Sequence, residues 1–364
     1  MCTNFGFTGT SAVPFGKVFL GGVSDDPYDI RTRVVVERSG HGYAFIGTEL
    51  AAMSADVSMP DYNDSVAGWP TRALNEKGLA FTWTFVAEKP ENQAPANGYK
   101  SAAACAEIMR TCSTVPEAIE RLRQMPRNFS GAFMLADRFG ELAVVEAGRK
   151  PLTVTQHASM AQGGAAVSVN CWLTQSDEGL PMCAVDQLAV PNHSRYTRAQ
   201  ALLRAAGGRA DFDRLAAMLC DHEGRERFAG DNPWIPGHGY SICNHGSLRG
   251  DRFSPGRPAN GTVSAEIIDC VDGVFWYTYG WPCGEAPENG DQLLQERAWG
   301  RFIGFPLAAL PAGIYTTLTG ELTHLAAAHF DALLHHATRE IAAGAMAARD
   351  WAPAPANTPA PALS

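Results

Sequence analysis

Short apolar and β-branched runs, broken by glycine, proline and aspartate, open the chain. Residues 5–7, 17–20, 33–36 and 43–46 predict strands in strand–turn–strand order. Residues 18–27 predict a strand running into a turn that holds Asp25 and Asp26. Residues 79–86 are almost continuously large and apolar, which predicts a strand buried on both faces; Asn75 and Gly78 suit the hairpin turn before it. The pattern then changes period. Ala102, Ala103, Cys105, Ile108 and Met109 fall near helical spacing, and a second helix starts at a capping box, Thr114 to Glu117, with Pro116 in its first turn. Its apolar face continues through Ala118, Ile119 and Leu122.

Alternation returns at 131–137 and 141–146, a hairpin closed by 138–140, and at 167–172, a strand ending near Asn170. A helix is predicted from about Ser194, which puts Arg195 in its first turn, and another from Asp211. Residues 262–268 and 274–279 predict an antiparallel pair around the turn 269–273. An Ala-, Leu- and His-rich stretch from 320 to 349, carrying His324, His329, His335 and His336, predicts a long helix, and residues 351–364 a disordered Pro/Ala tail. The expected division is one domain over 2–318, a helical extension over 319–350 and the tail.

Composition narrows the class. The 364 residues are 46% hydrophobic and 18% charged, which is globular, and the net charge of −9 argues against nucleic acid or an anionic membrane as partner. No 18-residue apolar run and no secretory signal is present, and nine scattered cysteines suit reduced thiols, so a cytoplasmic location is expected.

The candidate chemistry begins at residues 1–4. Removal of Met1 makes Cys2 the first residue, carrying a thiol nucleophile and an α-amine on one framework. Their reference pKa values, about 8.5 and about 8, are close enough for proton exchange near neutrality, so one residue can serve as nucleophile and base. While Met1 remains, that nitrogen is an amide and the base is missing. Asp25 and Asp26 are ordinary turn formers that can also orient an amine. Asn170 is a turn former that can also donate to an oxyanion, because its amide is uncharged and can be fixed by packing. A second cluster, Cys220-Asp-His222 and Cys243-Asn-His245, offers two thiols and two imidazoles, but the spacing within each pair is tighter than in common zinc sites. Core cysteines and locally bonded histidines are the expectation there. A non-catalytic, zinc-stabilised protein is carried as one alternative.

The order of these segments resembles the N-terminal-nucleophile (Ntn) amidohydrolases of the choloylglycine hydrolase and penicillin V acylase type. Met1-Cys2-Thr3 resembles their start, Gly22-Val-Ser-Asp-Asp26 their Gly-Arg-Asn-x-Asp turn, and Asn75-Glu-Lys-Gly-Leu79 their hairpin. The run 133–146, Asn170 and Ser194-Arg195-Tyr196 follow in family order, while segments 241–245, 261–264 and 280–283 look closer to the isopenicillin N acyltransferase branch. Two departures stand out. The family Arg and Asn are replaced by Val23 and Ser24, with Arg31 and Arg33 as candidate replacements for the lost cation, and no Asn stands near Phe85, where the family has a second oxyanion donor. A backbone N–H such as that of Phe85 is the candidate substitute.

The resemblance implies a four-layer αββα sandwich (α+β class), with two stacked antiparallel sheets and helices outside. It implies cleavage of a linear, small-molecule amide through a Cys2 thioester, with Asp26 (or Asp25), Asn170 and Arg195 in the site and Trp83, Phe85 and Trp172 lining an apolar acyl pocket. It implies no cofactor and no catalytic metal. Acyl transfer to an amine is the alternative chemistry, and the C-terminal helix is the candidate surface for a homo-oligomer.

Overall fold

The structure is a computed structural model, and it describes residues 2–9, 16–27, 30–52, 68–86, 98–148, 152–173, 186–207, 211–223, 241–244, 260–284 and 298–337. His245, residues 338–350 and the tail 351–364 lie outside the described residues.

The described strands are β1 (Cys2–Thr8), β2 (Val18–Pro27), β3 (Ile30–Glu37), β4 (Phe45–Ala52), β5 (Gly68–Asn75), β6 (Ala80–Phe85), β7 (Gly131–Ala136), β8 (Leu142–Ala147), β9 (Thr153–Ala158), β10 (Gly164–Val169), β11 (Asn260–Asp269), β12 (Val274–Tyr279), β13 (Arg301–Pro306), β14 (Gly313–Ile314) and β15 (Leu334–Ala337). The described α-helices are α1 (Ser101–Thr111), α2 (Val115–Gln124), α3 (Asp186–Ala205), α4 (Phe212–Leu219) and α5 (His324–Ala328). One sheet has seven strands in the order β10-β1-β2-β11-β12-β13-β15, and the other eight in the order β14-β3-β4-β5-β6-β7-β8-β9. The strand pairs are antiparallel.

Three apolar cores define four layers, as expected. Val18, Leu20, Ile46, Leu74, Met134, Leu142 and Tyr277 pack between the sheets. Phe81, Trp83, Phe133 and Val145 pack the eight-stranded sheet on Ile108, Met109, Ala118 and Leu122 of α1 and α2. Phe5, Phe19, Val23 and Ile267 pack the seven-stranded sheet on Ala199, Leu202, Leu215 and Leu219 of α3 and α4. Central strands are therefore apolar on both faces, which is why their sequences read as runs rather than as alternation.

The predicted hairpin at residues 75–79 is present, and Asn75 explains it. Its Oδ1 accepts from the N–H groups of Lys77 and Leu79, closing the turn. Its Nδ2 donates to the carbonyls of Met109 (3.0 Å) and Cys112 (2.8 Å), two orphan acceptors at the end of α1. The capping box on α2 also forms, with Thr114 accepting from the Glu117 N–H and Glu117 accepting from Ser113.

Three expectations are corrected. Asp25 and Asp26 do not sit in a turn. β2 continues through Pro27, because β1 pairs it on one edge at Cys2↔Ser24 and β11 on the other at Thr262↔Asp25 and Gly261↔Asp26, which engages its backbone. Ser194 does not cap a helix and Arg195 is not in a first turn, since α3 begins at Asp186. Among the described residues, the long helix expected from 320 is present only as the five residues of α5; after a 3₁₀ turn at Phe330–Ala332, His335 and His336 lie in β15, paired to β13. The sheet edge offers that segment main-chain partners, which outweigh its helix-favouring composition. The helical surface offered for oligomer formation is thereby removed over 329–337.

Asn75→Ala strands the Met109 and Cys112 carbonyls in a buried setting, so it should cost about 2–3 kcal/mol of stability. A urea melt should show a lower midpoint with an unchanged slope.

Candidate active site

The site forms where the start of β1 meets the end of β10. Antiparallel pairing of Thr3 with Val169 places Cys2 beside Asn170, and the Cys2 N–H donates to Asn170 Oδ1 at 2.5 Å. Asn170 Nδ2 donates to the carbonyl of Phe85 at 2.7 Å. Val86 N–H is bonded to Ser130 O, the residue just before β7. By the alternation of an antiparallel ladder, both the carbonyl and the N–H of Phe85 therefore turn away from β7, and the carbonyl meets Asn170.

Arg195, fully buried on α3, gathers this corner. Its Nη1 donates to Cys2 O (2.6 Å) and Thr3 Oγ1 (2.8 Å), and its Nη2 donates to Asn170 Oδ1 (3.4 Å) and to Asn192 Oδ1. Asn192 Nδ2 returns a bond to Asn170 O at 3.0 Å. Of the residues expected in the site, Cys2, Asn170 and Arg195 are thus brought into direct contact.

Asp25 and Asp26 are both buried, and strand alternation sends them to opposite faces of the seven-stranded sheet. Asp26 shares the inter-sheet face with Ser24, the residue paired with Cys2. Asp25 lies on the α3 side, where Thr262 Oγ1 donates to its Oδ1 at 2.6 Å. Thr262 is held by Asn244: its N–H donates to Asn244 O (2.7 Å), and its Oγ1 accepts from Asn244 N–H (2.9 Å). A bulge in β11 at Val263, between the pairs Thr262↔Asp25 and Ser264↔Ser24, sits at this point. Bulges re-aim side chains in this way next to sites.

A cation reaches this strand from the opposite sheet. Arg72 of β5, fully buried, reaches across the interlayer. It donates to Ser24 Oγ, Val23 O (2.8 Å) and Asn4 Oδ1 (3.2 Å), and pairs with buried Glu266 at 3.1 Å. Gly22 makes the room: a Cβ there would collide with Asn4 Oδ1 and lie 3.0 Å from Arg72 Nε. Of the two candidate replacements, Arg33 pairs with Glu49 and Arg31 is buried in β3.

Electrostatics follow from dryness. Burial pushes the Cys2 thiol up, against the pull of the chain's terminal ammonium and Arg72. Burial also pushes Asp25 up to about 6, opposed by the terminal ammonium, Arg195 and Thr262. Asp26 is raised by burial, opposed by the terminal ammonium and Arg72; Glu266 is raised by burial, opposed by Arg72. A thiol held in its neutral form needs a base before it can attack.

The aromatic expectation fails in part. Trp83 and Phe85 project from β6 into the core facing α1 and α2, on the opposite face from Thr82 and Thr84, and are not brought to Cys2 as side chains. Trp172 is buried two residues after Asn170. Arg72, Thr262, Asn192 and Glu266 were missed from sequence. Arg72 and Glu266 did leave a signal, because a charge in the middle of an apolar strand implies a buried partner.

Two stacked antiparallel sheets with helices outside are the layers of an Ntn-hydrolase sandwich. The chain belongs to the acyl-coenzyme A:6-aminopenicillanic acid acyl-transferase family, whose model it matches over residues 26–233, more than half its length. Similar solved structures include a variant of conjugated bile acid hydrolase from Clostridium perfringens (12% identity, 88% of this chain and 99% of that chain, TM-score 0.44). Penicillin V acylase from Agrobacterium tumefaciens is another (17%, 76% and 83%, TM-score 0.40). A third is the N-acylethanolamine-hydrolyzing acid amidase ortholog of Caenorhabditis elegans (12%, 82% and 99%, TM-score 0.38). No curated protein matches the chain. Among the described residues, no helix is long and apolar enough to cross a membrane.

Two outcomes are expected. Arg72→Met leaves Glu266 buried without its cation and should cost about 3–5 kcal/mol, whereas the double change with Glu266→Met should recover much of that loss, as read by urea denaturation. Asp25 binds its proton more tightly folded (about 6) than its ordinary 3.8, so the folded state holds the extra proton in that window and stability falls as pH rises through it. Asp25→Asn removes this contribution, and its stability should fall less than that of the parent between about pH 4 and 6, measured by thermal melts across that range.

Proposed function

We propose that this protein is an N-terminal-cysteine amidohydrolase that cleaves a linear amide C–N bond through a Cys2 thioester. The observation that carries the reading is the convergence of the Cys2 nitrogen, the Asn170 amide and the Arg195 guanidinium at one sheet end. Removal of Met1 turns that nitrogen into an α-amine. The amine takes the thiol proton, and the sulfur attacks the amide carbon. The oxyanion of the tetrahedral intermediate accepts hydrogen bonds from the Asn170 amide and the Phe85 N–H, which lies on the same strand edge as the carbonyl that Asn170 contacts. The ammonium then protonates the leaving nitrogen, the C–N bond breaks and the thioester remains. Water, deprotonated by the amine, attacks the thioester and frees the acid and the thiol.

Arg195 grips the Cys2 carbonyl and so fixes the direction of the sulfur and the nitrogen. Asp26, on the inter-sheet face with Cys2, orients the amine, and Asp25 supports it from the other side through Thr262. Trp172, close in sequence to Asn170, contacts the acyl group. The cysteines, present as separate thiols among the described residues, fit a reducing cytoplasm. A second reading is favoured by the family's name: an amine in place of water accepts the acyl group, making an acyltransferase.

Intact mass of the active protein should show Met1 removed, and a brief reaction with an acyl amide should add one acyl group at Cys2. Cys2→Ala should lower kcat/KM by at least about a thousandfold. Activity in protein that retains Met1, or in Cys2→Ala, would overturn the proposal. Product partitioning with added amine separates the two readings, because water-only product sinks the transferase.

A further inference from the structure

Behind the Asp25 support lies a cluster that the proposed reaction does not use. His222, Cys243 and Cys283 present a ring nitrogen and two sulfurs that all lie within 4.8 Å of one another. The two sulfurs, both on buried residues, are 3.7 Å apart. That separation is well beyond the roughly 2 Å of a disulfide. It fits two thiolates on one tetrahedral zinc, which at Zn–S of about 2.3 Å lie about 3.8 Å apart. Cys220 packs against the same cluster with Val263 and Trp281.

The three ligand-bearing segments are remote in sequence and meet for identifiable reasons. Cys220 ends α4 as its C-cap, and His222 follows two residues on. Cys243 N–H donates to Asp221 O at 3.0 Å, which docks residues 241–244 on that turn, and Arg198 clamps the Asp221 carboxylate. Cys283 lies in the turn after β12 that closes with Gly284 N–H donating to Trp281 O. The sequence pattern had paired Cys243 with His245, which lies outside the described residues; in space Cys283 joins the set.

We propose that His222, Cys243 and Cys283, with Cys220 as fourth ligand, bind a structural zinc ion. Three thiols and an imidazole suit zinc's preference for a closed, four-coordinate sulfur and nitrogen site. Each thiol that binds gives its proton to solvent. The ion secures residues 241–244, whose Asn244 fixes Thr262, which in turn holds Asp25; no reaction step passes through the metal. The inference is independent of the amidase reading, and its test does not measure activity.

The full-length chain, purified without chelator, is analysed for metals alongside Cys283→Ser and, as a control on α1 in the core facing the eight-stranded sheet, Cys105→Ala. About one zinc per chain is expected in the parent and the control, with at least a tenfold loss in Cys283→Ser. Replacement of zinc by added cobalt in the parent chain should give thiolate-to-cobalt absorption in the near ultraviolet and tetrahedral bands in the visible. This readout holds even where the variant folds poorly. Parent protein that carries negligible zinc and gives no thiolate–cobalt absorption overturns the proposal. So does a Cys243–Cys283 disulfide found by mass mapping, or equal zinc loss in both variants.

Discussion

The position of Cys2 depends on one buried guanidinium. Arg195 comes from a helix, yet its bonds go to the first two residues of β1 and to the residue just after β10. A strand terminus ordinarily frays, since half its ladder is missing and little packs on it. Here the Cys2 carbonyl, the Thr3 hydroxyl and the Asn170 amide share a single planar donor whose geometry permits little adjustment. Asn192, one turn before Arg195 on α3, bonds both Arg195 and the Asn170 carbonyl, so the cation is itself held. Removing the charge would release the strand start, the strand end and the helix together.

The rest of the site follows from the two-residue period of β2. Even-numbered positions from Val18 to Asp26 face the second sheet, and odd ones face α3 and α4. Gly22 then leaves a gap on the inner face that Arg72 fills from across the interlayer, while Val23 packs outward among apolar residues. A cation at residue 23 would have faced the helices; supplied from residue 72 it lies on the inner face, with Asp26 and the residue paired to Cys2. The single bulge at Val263 performs the matching task on the outer face. It keeps Thr262 opposite Asp25 and sends Val263 into the cysteine cluster.

Much of this was legible in the residues. The apolar runs, the hairpins at residues 75–79 and 131–146 and the capping box on α2 were read from the residues, and the double sheet with outer helices from the resemblance that the order of segments carries. Local chemistry decides such features. What failed needed the third dimension. Trp83 and Phe85 were placed in a pocket because they are large and near a strand end, but only the partner layers tell which face of a doubly buried strand they occupy. His335 and His336 follow a helix-favouring pattern and yet pair at a sheet edge, a contact set by the position of β13. Arg72 bonds the carbonyl of Val23, 49 positions away in sequence, a distance that no spacing rule spans. Cys283 joins Cys243 for the same reason.

The charges around Cys2 give a physical reason for nucleophile and base to be one residue. Burial pushes Asp25, Asp26 and Glu266 toward their neutral forms, and Arg72, Arg195 and the ammonium of Met1, which is present before processing, oppose it. Two guanidiniums, those of Arg72 and Arg195, therefore face three carboxyl groups in a dry region. A proton taken from the Cys2 thiol by a distant base would leave one more negative charge in this dry region, and that is the state burial penalises most. A proton passed from sulfur to nitrogen within Cys2 moves charge by the width of one residue and changes the total not at all. In the proposed reaction the thiolate and the ammonium appear together, next to cations and carboxylates already arranged for both. The electrostatic barrier to forming the nucleophile is thereby reduced to a small local displacement, one that a buried site can tolerate at every turnover.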